Sequence, residues 1–125
     1  MRMRRVAPQI AVIDDDASLC RSLSRLLRLA GYEPCAFASA EEFLADRSRE
    51  RFGCLLVDIQ LGGISGLEMQ RLLAAEGQSA PLIFITAHDE PAARTEAVQG
   101  GCAGFFSKTD DGALILDAIR DAVRS

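Results

Sequence analysis

Apolar and polar positions alternate along the chain between two patterns, short apolar runs that end on polar residues and longer stretches with helical spacing. Residues 9–13 form a nearly unbroken apolar run that stops at Asp14-Asp15-Asp16. This is the pattern of a strand buried on both faces that delivers acids to its C-terminal end. Leu19, Leu23, Leu26, Leu27 and Ala30 then recur at helical spacing, with Arg21, Arg25 and Arg28 on another face and Gly31 closing the pattern. A short strand is predicted over 33–37, and Ser39-x-x-Glu42 reads as a capping box that opens a helix through Phe43 and Leu44. Residues 53–58, GCLLVD, repeat the first theme of a buried strand ending on an aspartate. A loop, IQLGGISG, leads to a second capping box, Ser65-x-x-Glu68, with Ile64 and Met69 as a hydrophobic staple and a helix to about Glu76. Residues 81–86, PLIFIT, are a fourth strand ending on a hydroxyl. Pro91 suits the first turn of a helix that stops at Gly100-Gly101. GFFS at 104–107 is a fifth strand followed at once by Lys108, and Leu114, Ile115, Ala118, Ile119, Ala122 and Val123 form a last amphipathic helix.

The order is (βα)5. Each helix must carry the chain back so that the next strand runs in the same direction, so the sheet is expected to be parallel with helices on both faces. No repeat beyond the βα unit, low-complexity segment or Pro/Gly-rich linker marks a second domain. The expected division is a flexible basic leader over 1–8, with Arg2, Arg4 and Arg5 solvated, and one folded domain over 9–124.

Composition narrows the classes of function. With 125 residues and 49% hydrophobic content, the chain can bury a core without disulfide staples. Eighteen acids against fourteen bases give a net charge of −4, which lacks the positive field needed to bind a phosphate backbone, so direct nucleic-acid binding by this segment is not expected. The apolar run after the leader is too short for a signal sequence and nothing approaches a membrane span, which leaves the cytoplasm as the expected compartment. Cys20, Cys35, Cys54 and Cys102 stand far apart, and with His88 the single histidine no zinc site is expected; the four are read as buried free thiols.

The polar ends of the strands carry the candidate chemistry. In an open α/β sheet the ligand site lies beyond the carboxyl ends of the strands. Asp14 and Asp15 end the first strand, Asp58 the third and Thr86 the fourth, and Lys108 follows the fifth. Carboxylates about 4 Å apart repel by roughly 4 kcal/mol at an effective dielectric of 20, so the cluster calls for a cation. Hard oxygen ligands favour Mg²⁺, which keeps positions open for phosphoryl oxygens that the Thr86 hydroxyl and Lys108 ammonium would also contact. Lys108 is the one lysine among fourteen basic residues. A compact point charge at a phosphate accounts for its placement better than a bias toward arginine does.

Asp14-Asp15, Asp58, Thr86 and Lys108, in this order and strand context, make the chain resemble the receiver domain of bacterial two-component response regulators over residues 9–124. The resemblance implies a flavodoxin-like sheet of strand order 2-1-3-4-5. It implies a signalling domain rather than an enzyme, with Asp58 as the phosphoacceptor that takes a phosphoryl group from a sensor histidine kinase or histidine phosphotransfer protein. By the same resemblance Asp15, Asp58 and the backbone carbonyl of Gln60 would bind Mg²⁺, with Asp14 acting through a water. Thr86 and Lys108 would contact the phosphoryl group, and Thr86 and Phe105 would form the switch. The surface of the fourth helix, fifth strand and fifth helix would drive the output, including a homodimer formed on phosphorylation through the fourth helix and fifth strand.

The chain also departs from the family pattern. Thr109 follows Lys108 where the family usually has a cis-proline, and a cis non-proline bond costs about 3 kcal/mol, so a different presentation of Lys108 is expected. Leu61-Gly62 replaces a frequent Met-Pro pair, and Gly62-Gly63 makes that loop more permissive. Asp16 is read as a helix N-terminal acid, His88 as a solvated loop residue, and Arg21, Arg25 and Arg28 either as a solvated face or as a complement to an acidic kinase. Phe106 should point away from Phe105. Two other functions stay open. One is a pseudo-receiver that works as an interaction module without phosphorylation. The other is a haloacid-dehalogenase-like phosphatase with Asp14 as nucleophile, which leaves Asp58 without a role and needs Asp110-Asp111 at a strand end rather than a helix start.

Overall fold

The computed structural model describes residues 7–87 and 90–124. Arg2, Arg4, Arg5 and His88 lie outside the described residues. Five strands, β1 (Gln9–Ile13), β2 (Glu33–Phe37), β3 (Phe52–Val57), β4 (Leu82–Thr86) and β5 (Gly104–Ser107), alternate with α1 (Ala17–Leu29), α2 (Ala40–Ala45), α3 (Gly66–Ala75), α4 (Pro91–Gln99) and α5 (Gly112–Arg124). The strands pair in parallel in the order β2-β1-β3-β4-β5. The expected (βα)5 architecture and strand order are therefore observed.

Strand alternation divides the core between the two faces of the sheet. Ile10, Val12, Cys54, Leu56, Ile83 and Ile85 meet Cys20, Leu23 and Leu27 of α1 and Ile115 and Ile119 of α5. On the other face Ala11, Ile13, Leu55, Val57, Leu82 and Phe84 meet Phe43 of α2, Met69 and Leu73 of α3 and Ala97 of α4. Phe105 packs on the second face and Phe106 on the first, as alternation requires.

Sequence reading and structure differ at a few element ends. Beyond the five helices, a single 3₁₀ turn, Arg49–Arg51, leads straight into β3. That strand begins at Phe52 rather than Gly53, and the register slips between Gln9 and Ile10 so that Phe52 turns toward Phe37 and Phe43. Ring centroids there lie 5.8 and 6.0 Å apart. A bulge of this kind admits one extra residue and changes which face it occupies. β4 starts at Leu82 because Pro81, lacking an N–H, contributes only its carbonyl, which accepts from Leu55 N at 2.9 Å. Only Cys20 and Cys54 are fully buried, so the expectation of four buried thiols is corrected: Cys35 and Cys102 are half-buried, and all four are free. Leu114 is 52% exposed, because one residue before Ile115 it sits about 100° around the helix from the buried stripe.

The predicted caps form. Asp16 Oδ1 accepts from Ser18 N and Leu19 N at 3.0 and 3.2 Å, as the helix N-terminal role requires. Ser39 and Ser65 accept from Glu42 N and Glu68 N, each at 3.1 Å. α1 and α4 close with Gly31 at φ +94° and Gly101 at φ +87°, where a side chain would be strained. No helix among the described residues is long and apolar enough to cross a membrane.

Candidate functional site

The site is built on main chain that the sheet still holds after the strands end. Asp14 N donates to Phe37 O and Asp58 N to Ile13 O, both at 3.0 Å, and Lys108 N donates to Thr86 O at the same distance. Three functional residues from three strands are thereby fixed in register at one edge. Gly66, the first residue of α3, closes the edge from beside Asp58, since a Cβ there would lie 2.3 Å from the Asp58 carbonyl oxygen. Its amide donates to Ile59 O at 2.8 Å.

The carboxylates converge as the sequence suggested. Asp14, Asp15 and Asp58 each offer an oxygen within 4.8 Å of the others. Asp14 and Asp58 are buried and Asp15 is exposed. Lys108 Nζ lies 2.9 Å from Asp58 Oδ2 and 3.1 Å from Asp14 Oδ2. The remaining oxygens are engaged by main chain: Asp16 N donates to Asp14 Oδ1 at 2.8 Å, and Gln60 N to Asp58 Oδ1 at 3.2 Å. Burial pushes the Asp14 carboxyl above its ordinary value, and the Asp58 charge adds to this against the Asp16 amide and Lys108. For Lys108 burial acts downward, but the hydrogen bonds and charges of Asp58 and Asp14 outweigh it and hold the ammonium above its usual range.

Every peptide bond among the described residues is trans, including Lys108–Thr109. Lys108 reaches both buried acids in that form. The turn after β5 is fixed instead by Asp110 Oδ2, which accepts from Ser107 N at 2.8 Å, and by a 2.9 Å contact between the Ser107 and Thr109 hydroxyls. Asp111 Oδ1 accepts from Ala113 N at 3.0 Å at the start of α5, so Asp110-Asp111 belongs to a helix start and not to a strand end.

Thr86 is fully buried and pairs with Ser107 across β4 and β5. It shares a face by alternation with Phe84, whose ring centroid lies 6.1 Å from that of Phe105. The Arg94 guanidinium covers the outer side of Phe105 at 4.6 Å. Phe105 is half-buried. Gln60 is exposed, next in chain to the buried Ile59.

One residue near the site has no counterpart in the sequence reading. Glu41, in the first turn of α2, accepts from Ile64 N in the loop between β3 and α3 at 3.0 Å. The partners are 23 residues apart, and no local motif joins them.

The donor set suits a hard divalent cation: carboxylate oxygens alone, two of the three groups buried, and a single ammonium facing them. The cluster and the lysine across from it lie at the carboxyl ends of the strands of an open parallel sheet, where such α/β folds carry their ligand sites. The chain belongs to the response regulator receiver domain family, whose model matches residues 10–120. Response regulator protein TodT of Pseudomonas putida is 36% identical over 118 residues, 94% of this chain and 52% of that protein. Nodulation protein W of Bradyrhizobium diazoefficiens is 39% identical over 110 residues, 88% of this chain and 48% of that one. Among solved structures, response regulator StyR superposes with a TM-score of 0.87 at 38% identity, covering 95% of this chain and 60% of that chain. FixJ-N superposes with the same score at 29% identity, covering 96% of each chain. The chain spans about half the length of the curated relatives it matches. It is thus a signalling domain of the two-component class rather than a conventional enzyme.

Proposed function

We propose that this chain is a phosphoacceptor switch in which Asp58 takes a phosphoryl group from a sensor histidine kinase or a histidine phosphotransfer protein. The observation that carries this reading is the placement of Asp58, buried on sheet-fixed main chain with one oxygen toward Lys108 and with Asp14 and Asp15 alongside. A carboxylate oxygen of Asp58 gives up its present contact and attacks phosphorus, a P–O bond forms, the P–N bond to the donor imidazole breaks, and the imidazole leaves neutral, protonated on its other ring nitrogen.

Asp15, Asp58 and the Gln60 carbonyl would hold Mg²⁺, with Asp14 acting through a water. When bound, the ion supplies charge neutralisation for the carboxylates and the phosphoryl oxygens. Lys108 pairs with the transferred group and so exchanges part of its contact with Asp58 and Asp14 for phosphoryl oxygens. The Thr86 hydroxyl bonds the same group, and Phe105 on the same face responds by turning inward. The change is read on the α4–β5–α5 surface by an output domain or partner, and a homodimer through α4 and β5 is one form of that reading. The reaction belongs in the cytoplasm, where such kinases present their phosphohistidine, and needs no nucleic-acid contact by this segment.

The test is the intact mass of the chain after incubation with acetyl phosphate and Mg²⁺, with peptide mapping and Asp58→Asn as control. One added phosphoryl group on Asp58, lost in the variant and in the presence of chelator, is the expected result. Label on Asp14 would make the chain phosphatase-like, and no label together with no Mg²⁺ binding would make it a phosphorylation-independent interaction module.

A further inference from the structure

The loop from Asp58 to α3 is tied at both ends. Near Asp58, Gln60 N donates to Asp58 Oδ1, and at the far end Gly66 N donates to Ile59 O. Between them run Gly62 and Gly63, which the sequence alone marks as a permissive stretch. The Glu41 carboxylate meets this middle part, its Oε2 accepting from Ile64 N at 3.0 Å. The approach is so close that a Cβ on Gly63 would lie 2.1 Å from Oε2 and 2.9 Å from Cδ. One residue earlier, a Cβ on Gly62 would come within 4.0 Å of Asp15 Oδ2. The loop therefore lies near two carboxylates, one belonging to the acid cluster and one delivered by α2, and a side chain at residue 63 would meet the second where it now stands.

We propose that Glu41 is a positioning residue for phosphoryl acceptance at Asp58, clamping the β3–α3 loop so that Gln60 presents its carbonyl to the acid cluster in a fixed place. The inference rests on the phosphoacceptor reading above. Glu41 is exposed, caps no helix through its side chain, and among the described residues meets the β3–α3 loop through the Ile64 amide. A short loop held at its ends but not in the middle samples several conformations, and fixing one of them removes an ordering cost from cation binding. The clamp thus supplies from α2 the restraint that the Gly62-Gly63 pair lacks.

The experiment compares the whole chain with Glu41→Ala, Glu41→Gln, Gly63→Ala and the double variant Glu41→Ala/Gly63→Ala. Two quantities are read: the Mg²⁺ concentration giving half-maximal labelling by acetyl phosphate, and the hydrogen-exchange rate of the Ile64 amide. Glu41→Ala is expected to raise both by about five-fold, the scale of one net hydrogen bond. Glu41→Gln keeps an acceptor oxygen and is expected to restore most of the loss. Gly63→Ala displaces the carboxylate and is expected to match Glu41→Ala, with the double variant no worse than either single one. A Glu41→Ala chain with unchanged Mg²⁺ dependence and unchanged Ile64 exchange overturns the clamp. So do additive effects in the double variant, or a Glu41→Gln chain as impaired as Glu41→Ala. If the unsubstituted chain takes no label, the phosphoacceptor reading fails, while the Ile64 exchange rates still decide whether the loop is clamped.

Discussion

The two halves of the sheet are packed to different standards. β1 and β3, which end on the acids, are buried along almost their whole length, and every residue of β4 is buried. β5 is half-buried at all four positions, and α4 beside it buries a single residue, Ala97. The N-terminus of α4 has no side-chain cap at Glu90, whereas α1, α2 and α3 are capped by Asp16, Ser39 and Ser65. The acid half is a densely buried template that can hold the geometry of its polar ends. The α4–β5 half is held by fewer buried contacts, which is where a low-cost rearrangement can occur. A switch needs both, one part that does not move when charge arrives and another that does.

The largest expected separation between these halves comes from one ring on each. Phe84 is fully buried in β4, and Phe84→Ala should cost about 3–5 kcal/mol in urea unfolding. Phe105, its half-buried neighbour in β5, should cost only about 1–2 kcal/mol as Phe105→Ala, since less of its surface leaves water. Equal losses would remove the contrast. A smaller effect is expected from adding one methyl to a glycine in each half. Gly66→Ala drives a Cβ against the Asp58 backbone and should cost about 3 kcal/mol and slow labelling, because Asp58, the proposed acceptor, must shift. Gly104→Ala meets the Phe106 side chain at 3.0 Å, which can yield, and should stay below about 1 kcal/mol.

The effect that accrues in the smallest steps, one pH unit at a time, is a pH dependence confined to the rigid half. Burial pushes the Cys54 thiol up to about 12, from an ordinary value of 9.0. A raised folded-state value means that stability is fully present below pH 9, where both states hold the proton. It falls as pH rises from 9 toward 12, where only the unfolded chain releases it. The loss should approach about 1.4 kcal/mol per pH unit, measured as the difference between the chain and Cys54→Ala. A flat difference across that range would show Cys54 to be more accessible than its strand.

What the sequence made legible follows the same division. The strands of the rigid half announce themselves because burial on both faces leaves no room for polar residues until the strand ends, so Asp14 and Asp58 mark the edge by contrast with Val12, Ile13, Leu56 and Val57. Lys108 was legible through its rarity and its place after GFFS. Local capping motifs were legible for a similar reason, since donor and acceptor lie within three residues of each other. The bulge that turns Phe52 toward Phe37 was not, because it depends on register between two strands. Glu41 was not, because its partner lies on another element. The prominent Leu114 was misassigned to the buried stripe of α5, since apolar character records what can be buried and not what is.

The double pairing of Lys108 has a further consequence. It is the one lysine in the chain, so a reagent that acylates side-chain amines has a single address, and that address faces Asp14 and Asp58 in the acid cluster. Its side chain is 19% exposed, and its ammonium faces two buried carboxylates and is held protonated by them, so the free amine that such reagents need is scarce while those contacts persist. Any event that loosens the carboxylates' hold changes the rate at which one acyl group appears. The chain therefore carries a single-site side-chain reporter, counted as zero or one in the mass of the peptide that contains Lys108.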